Sequence, residues 1–344
     1  MKRVLISCAF LTFVMVCLQA RCASAENANF YEGKTIDFII GGDAGGGYDL
    51  YARLIARFLP EYIRGKPIIV PRNMPGAGSA NAASTLYNTL PRDGTAIAAL
   101  FPGGVVGPLL DSRFEHQYDP SKFEYLASAV SDTRVCITWG ASKVKTYKDA
   151  LQETASMGAS APGASTTDYA NMHIRTTGAK FKVVTGYKGT VDIFLAMERG
   201  EVDGMCGIDW SSLKSQRPEW LQDKKVNILV QDGLKPDPEL TKLGVPVLSE
   251  FIKNKPDEAA VDLILSQQSF SRPYVAPPGT PSEQVAILRK GFAESLVDPA
   301  LISQAKSGRL TIAPISGEEV QSIVAKVYGA GSETVSRAKQ LVAP

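Results

Sequence analysis

Three observations predict an α/β protein of two domains, each a sheet covered by helices. Apolar, β-branched runs alternate with helical patterns over most of the chain, as strands joined by crossover helices require. The first two strand-to-helix turns are rich in glycine, which suits tight connections at the carboxyl ends of strands. A length of 344 residues, at roughly 100 to 200 residues per domain, supplies two cores.

Each element has its own signal. Residues 35–40 form the first predicted strand. A helix over 50–62 follows, because Leu50, Leu54, Ile55, Phe58, Leu59 and Tyr62 recur on one face, with Asp49 as its N-cap. Residues 67–70 read as a short strand, 71–79 as a turn, and 80–90 as a helix capped by Ser79. Asp93-Gly94 then turns the chain into a strand over 95–100. The rhythm changes over 123–131, where a second α/β series begins. Residues 135–139 and 204–208 are strand-like; between them lie a loop over 160–167, a helix from Asp168 to Gly178, a strand over 181–185 and a helix ending at Gly200. Strand 226–230 leads into a proline-rich, charged stretch over 232–256, and 263–273 reads as extended. Thr280-Pro281-Ser282-Glu283 and Ser316-Gly317-Glu318-Glu319 are capping boxes that open two later helices.

The first 25 residues are predicted to be an export signal. Lys2 and Arg3 precede an apolar run over 4–18, and Ala23-Ser24-Ala25 offers small residues for cleavage after Ala25. A periplasmic or secreted mature chain follows. Lipidation at Cys22 is the alternative, which the neighbours Gln19 and Arg21 disfavour. No later stretch has the roughly 18 apolar residues in a row of a membrane-spanning helix. Losing Lys2, Arg3 and Arg21 lowers the basic residues from 37 to 34 against 35 acidic ones, a net charge of −1. With no sustained Lys/Arg run, the chain has no electrostatic footprint for nucleic acid, and small-molecule partners are expected instead. Cys136 and Cys206 are the cysteines that remain. An oxidising compartment permits a disulfide between them; two buried thiols are the other reading.

The candidate sites are loops. Gly41-Gly42-Asp43-Ala44-Gly45-Gly46-Gly47-Tyr48-Asp49 joins a strand to a helix, and Arg72 to Ser79, with Pro75-Gly76-Ala77-Gly78, does so again. Glycine lets the backbone approach a bound group, and the first amides of a helix attract an anion. Two such turns at neighbouring strand ends would face one crevice. The stretch 160–168, with Gly163, Ser165, Thr166 and Thr167, offers hydroxyls and amides ahead of a third helix; an ordinary capped loop is the plain alternative.

Other chemistries fail on residues. A dinucleotide fingerprint needs glycine where Leu50 stands. Gly33-Lys34-Thr35 lacks the first glycine of a phosphate loop, with Ala28 in its place, and precedes a strand; Gly65-Lys66 runs into Pro67. Ser211 to Lys214 matches the S-x-x-K pattern, but so do Ser142 to Lys145 and Ser303 to Lys306. His116 and His173 lack metal-ligand spacing, so no metal or cofactor is expected, and His173 reads as a packing residue.

In sequence order, the glycine loop ending in Tyr48-Asp49, then Asn73-Met74-Pro75-Gly76-Ala77-Gly78-Ser79, Pro91-Arg92-Asp93-Gly94-Thr95, Tyr187-Lys188-Gly189 and Ala276-Pro277-Pro278-Gly279-Thr280-Pro281 resemble the receptor component of tripartite tricarboxylate transporters, the Bug-type extracytoplasmic solute receptors. The resemblance spans essentially the whole mature chain. It implies a type II periplasmic binding protein, a Venus flytrap of two lobes, each a mixed sheet flanked by helices. Lobe one would hold 26–129 plus 271–344 and lobe two 130–270, with hinge strands near 129 and 270. It further implies a receptor that hands a small carboxylate to a membrane permease; signalling to a membrane sensor, or an exported hydrolase or transferase, are the alternatives. No activated nucleophile or acid/base pair is visible in the sequence, so no enzyme is expected, and a monomer is the default. Carried over residue by residue, the carboxylate clamp would draw on Ala44, Gly45, Gly46, Gly47, Tyr48 and Asp49, on Asn73, Gly76, Ala77, Gly78 and Ser79, and on Gly163, Ser165, Thr166 and Thr167. Tyr187 and Asp209 would line the cleft from the second lobe, with Arg134, Trp210 and Ser211 nearby. Tyr48 departs from the threonine common in such receptors and is expected to narrow the cleft or stack on a flat ligand. For Trp210, a packed core aromatic is the competing reading.

Overall fold

The computed structural model describes residues 29–111 and 116–343. The expected export signal, Cys22 and the cleavage point after Ala25 lie outside them. Four strands open the chain: β1 (Thr35–Ile40), β2 (Ile68–Asn73), β3 (Ala96–Ala99) and β4 (Glu124–Ser128). Five follow: β5 (Arg134–Trp139), β6 (Ala155–Gly158), β7 (Phe181–Val184), β8 (Gly204–Asp209) and β9 (Val226–Asp232). The last two, β10 (Pro273–Ala276) and β11 (Ile315–Ser316), return to the first group. The result is a six-stranded sheet in the order β11-β4-β10-β3-β1-β2 and a five-stranded sheet in the order β7-β6-β8-β5-β9.

Both sheets are mixed. Strand β1 runs parallel to β2 and β3, whereas β10 is antiparallel to β3 and β4. Strand β6 runs parallel to β7 and β8, and β5 is antiparallel to β8 and β9. The parallel part of each sheet carries its strand-to-helix turns on one edge, where a ligand crevice forms.

Helices cover the sheets: α1 (Gly47–Phe58), α2 (Ala80–Asn88), α3 (Pro102–Leu110), α4 (Ser165–Thr177), α5 (Thr190–Glu198), α6 (Trp210–Gln216), α7 (Lys255–Leu265), α8 (Ser282–Ser295), α9 (Pro299–Ser307), α10 (Gly317–Tyr328) and α11 (Ser332–Val342). Leu54 and Ile55 of α1 and Leu288 and Phe292 of α8 are buried with Phe38 and Ile40 in one core. Such apolar faces supply most of the stability, at about 25 cal/mol per Å² buried.

The chain passes between the sheets twice, and the two passages hydrogen-bond to each other. The amide of Ala129 donates to Arg272 O at 3.1 Å, that of Ser271 to Val130 O at 3.0 Å, and that of Asp132 to Gln268 O at 3.1 Å. A bending point at 129 and 270 fits this pairing, and we keep the lobe limits of 26–129 with 271–344 and 130–270 as a proposal. Helix α11 also packs against α4 and α7, with Arg337 paired to Asp257 at 2.5 Å.

Several elements differ from expectation. Residues 255–265 are helical and 266–270 form a 3₁₀ turn, where an extended run was expected over 263–273. Asn254 caps that helix by accepting the Asp257 amide, and Ala260, Val261, Ile264 and Leu265 bury one face, so the apolar run has helical and not strand period. Helix α1 begins at Gly47, two residues before the expected cap; Asp49 lies inside its first turn. Helix α4 begins at Ser165 instead of Asp168. Strand β2 runs on to Asn73 through Pro71, which an edge strand tolerates because its outer side needs no amide donor. The first expected capping box is absent: Thr280 donates its hydroxyl to Pro277 O and Pro281 takes the cap position. Ser316 does cap α10, accepting the Glu319 amide.

Cys136 and Cys206 are joined by a disulfide that links β5 to β8, with their Cα atoms 3.9 Å apart. His173 is buried, its ring bonded to the Tyr147 hydroxyl at 2.7 Å and to Asp232 at 3.1 Å, the packing role expected of it.

Candidate functional site

The first glycine loop is folded by its own side chains. Asp49 accepts the Gly45 amide at 2.9 Å, Arg53 Nε at 2.8 Å and Asn73 Nδ2 at 2.9 Å, and Asn73 Nδ2 also donates to Gly42 O at 2.9 Å. Asp49 and Asn73 thus shape the loop from behind. The amides of Gly47 and Tyr48, at the start of α1, have no acceptor among the described residues, and both residues border a cavity.

The second loop is strained. Gly76, Ala77, Gly78 and Ser79 all have positive φ, at 121°, 47°, 60° and 77°. Ala77 and Ser79 carry side chains in a region that disfavours them, a cost that recurs at functional turns. Ser79 stands at the cap position of α2, yet its hydroxyl donates to Gly41 O at 2.8 Å and accepts the Phe101 amide at 2.9 Å. It ties the carboxyl ends of β1 and β3 together and caps nothing.

From the second lobe come the starts of α4 and α5. Thr166 Oγ1 accepts the Ser160 amide at 3.0 Å, Asp168 accepts the Gly163 amide at 3.0 Å, and Thr167 Oγ1 donates to Ala161 O at 3.0 Å. These bonds fix the turn so that the Ser165 and Thr166 amides, without acceptors among the described residues, lead the helix into the cleft. Gly189 and Thr190 present the start of α5 beside them.

Glycine lets the lobes meet. A Cβ on Gly78 would collide with the Gly163 carbonyl, one on Gly47 with the Ser212 hydroxyl, and one on Gly189 with the Asp43 carboxylate. Each pair spans the lobes, so the cleft is closed.

Inside it lies a cavity of about 220 Å³. Its walls include Gly76, Ala77, Gly78, Ser79, Ser165, Thr166 and Tyr187. A neighbouring void of about 40 Å³ is bordered by Gly46, Gly47, Tyr48 and Asp209. Asp43, Phe101, Ser165 and Thr190 belong to both. Of the other candidates, Ala44 and Gly45 form the exposed rim of the first loop, Asp49 and Asn73 brace it, and Gly163 and Thr167 brace the second-lobe turn. Sequence reasoning missed Asp43, Phe101, Thr190 and Ser212 as wall residues. Phe101 was accessible in principle, since it lies just past β3, before α3, at the same sheet edge as the two glycine loops.

Beneath the small void lies a buried charge network. The Arg272 guanidinium pairs with Asp209 at 3.0 Å, donates to Ser212 Oγ at 3.0 Å, and stands 4.2 Å from the Tyr48 ring centre and 4.9 Å from that of Tyr51. Arg134 Nε reaches Asp209 at 3.2 Å, and its guanidinium lies over Tyr169. Asp132 accepts the Ser211 hydroxyl and lies 3.8 Å from Arg272. Burial works against the charge on Arg272, and Asp209, the hydroxyl of Tyr48 and Asp132 outweigh it. Burial, with the Asp209 charge adding, pushes the Asp132 carboxyl up to about 6.

Two aromatic residues near this network are packed against protein. Phe101, 4.1 Å away between ring centres, and Arg272 both lie against the Tyr48 ring, which is 9% exposed. It floors the small void and has little room to stack on a flat ligand. Trp210 is a packed aromatic whose Nε1 donates to Glu239 at 2.9 Å.

Burial also raises the Asp43 carboxyl above its usual range, opposed by a hydrogen bond from its own backbone and reinforced by the charges of Asp192 and Asp49. No cationic side chain pairs with Asp43 among the described residues.

No protein-family model matches the sequence, and no curated protein sequence matches it significantly. Solved structures do match. The chain is similar to the periplasmic binding protein BugD, at 20% identity over 90% of this chain and 98% of that one, with a TM-score of 0.68. It is similar to the malate-bound MatC protein of Rhodopseudomonas palustris, at 20% identity over 90% of this chain and 99% of that one, with a TM-score of 0.65. An adipate-bound protein of R. palustris aligns at 19% identity over 89% of this chain and 97% of that one, with a TM-score of 0.67. The chain therefore has the two-lobed periplasmic binding-protein fold, each lobe a mixed sheet flanked by helices.

Proposed function

We propose that this protein is a periplasmic solute-binding receptor of the Bug and TctC kind. It takes a small carboxylate between its lobes and delivers it to the membrane permease of a tripartite tricarboxylate transporter. One observation carries the reading: the starts of α1, α4 and α5, from both lobes, converge on one closed cleft with amides to spare. Fixed amide dipoles can replace the hydration of a carboxylate without burying a cationic side chain. The structural relatives that hold malate and adipate support the same ligand class.

We read the protein as a receptor and not as an enzyme. Among the described residues, Ser79 Oγ is spent on Gly41 and Phe101, and His173 is spent on Tyr147 and Asp232, so neither forms a nucleophile with its base. Closure is the functional event, because ligand contacts made by both lobes exist only in the closed form.

The test is a thermal-shift screen followed by calorimetry with malate, adipate, succinate and glutarate and their amino-bearing analogues. At a ligand concentration of 100 Kd, binding to the folded state adds about 2.7 kcal/mol of apparent stability. A rise in Tm with at least one of these compounds is expected. No shift with any of them, or turnover of a bound one, overturns the reading.

A further inference from the structure

We infer that the cleft selects a ligand bearing an ammonium group as well as a carboxylate, and that Asp43 is the residue that reads the ammonium. The inference rests on the receptor reading above and names the ligand class for the same site. Three observations carry it.

Asp43 is a wall of both cavities, at the point where they meet, on the first-lobe loop that leads into α1. It is also one of the points where the lobes meet: its carboxylate lies so near Gly189 that a side chain there would collide with it. Closing the lobes therefore leaves a partly buried negative group in the wall of the site.

Among the described residues no cation pairs with that charge. Arg53 is engaged by Asp49 and Asn73, and Arg272 by Asp209 and Ser212, while Lys188 borders the larger cavity without forming an ion pair with Asp43. Of the carboxylates around Asp43, Asp49 is bonded to Gly45, Arg53 and Asn73, whereas Asp192 adds its charge without neutralising anything. An enclosed carboxylate without a counter-charge is costly, and a ligand that carries the counter-charge removes the cost on closure.

The surroundings suit an ammonium. Phe101 belongs to both cavities beside Asp43, and Tyr187 lines the larger one, so aromatic surface stands next to the carboxylate, the pairing that favours an organic cation. The amides of Ser165 and Thr166 lie across the same space and remain free for the ligand carboxylate. A cavity of about 220 Å³ accommodates both groups on one small molecule, such as an amino acid.

The experiment is calorimetry on matched pairs that differ by the amino group: L-glutamate with glutarate, L-alanine with propionate, and L-phenylalanine with 3-phenylpropionate. For at least one pair, the amino-bearing member should bind at least ~10-fold more tightly, as expected of a charge-assisted hydrogen bond in an enclosed site. Asp43→Asn should remove that preference; Asp43→Glu, which keeps the charge, should retain part of it. Equal affinity within every pair, or an amino preference that survives Asp43→Asn, overturns this inference and leaves the carboxylate receptor standing. If no member of any pair binds and the dicarboxylate screen is also silent, the receptor reading falls with it.

Discussion

The cleft and the hinge sit side by side and treat charge in opposite ways. At the proposed hinge, Arg272 and Arg134 meet Asp209, Asp132, Ser211 and Ser212 in a buried network, each ion held by another. In the cleft, among the described residues, helix amides have no acceptor and the carboxylate of Asp43 has no cationic partner. The arginines of the network are paired with carboxylates, whereas the Asp43 carboxylate in the cleft has no cation beside it among the described residues. Rigidity at one place and unmet polarity at the other are what a receptor needs if ligand is to supply the last contacts of closure.

Breaking the hinge network should have the largest effect. Arg272→Ala leaves Asp209 and Asp132 buried without their shared cation and should cost ~3 to 5 kcal/mol in chemical denaturation. A loss below ~1 kcal/mol would mean that the network is decorative.

The next effect is a pH dependence from the same place. Burial and the neighbouring Asp209 raise Asp132 to about 6 in the folded protein. A raised carboxyl favours folding in its protonated form, so its contribution is complete below the unfolded value near 3.9 and is lost as pH rises through about 6. The stability of the wild type relative to Asp132→Asn should therefore fall by roughly 1 to 3 kcal/mol between pH 4 and pH 7. Urea titrations across that range read it directly; a difference that stays flat or grows with pH would place the shifted proton elsewhere.

The smallest expected effect sharpens the cleft side of the comparison. Gly47→Leu would put a side chain against Ser212 without demanding an unusual backbone, since Gly47 is the first helical residue of α1. The open form should tolerate it and the closed form should not, so ligand affinity should drop at least ~10-fold with ligand-free stability within about 1 kcal/mol of wild type. Undiminished affinity would mean that the lobes need not meet there.

Local chemistry made much of the architecture legible. The strands at 35–40, 135–139 and 226–230 announce themselves by β-branched apolar runs, and Ser316 caps α10 as its capping-box position implies. The run over 263–273 misled because a short apolar stretch fits either period; the cap on Asn254 was the decisive signal and lay outside the window. Glycine content pointed to the right turns but not to the division of labour within them. Asp49 looked like a ligand contact and a cap, and it is the brace of its own loop; Asp43, six residues earlier, is the acid that faces the cavity. The hinge network was illegible for a topological reason. Arg272, Asp209 and Asp132 are far apart in the chain and come together only when β8 and the two passages between the sheets are assembled.

The central claim is that amides from both lobes grip one carboxylate, and nitrogen-edited NMR during titration reads those amides individually. With the tightest-binding compound of the screen added to saturation, the account predicts the largest amide shifts at Gly47 and Tyr48 of the first lobe together with Ser165 and Thr166 of the second. Shifts confined to one lobe, or centred away from these four residues, would contradict it.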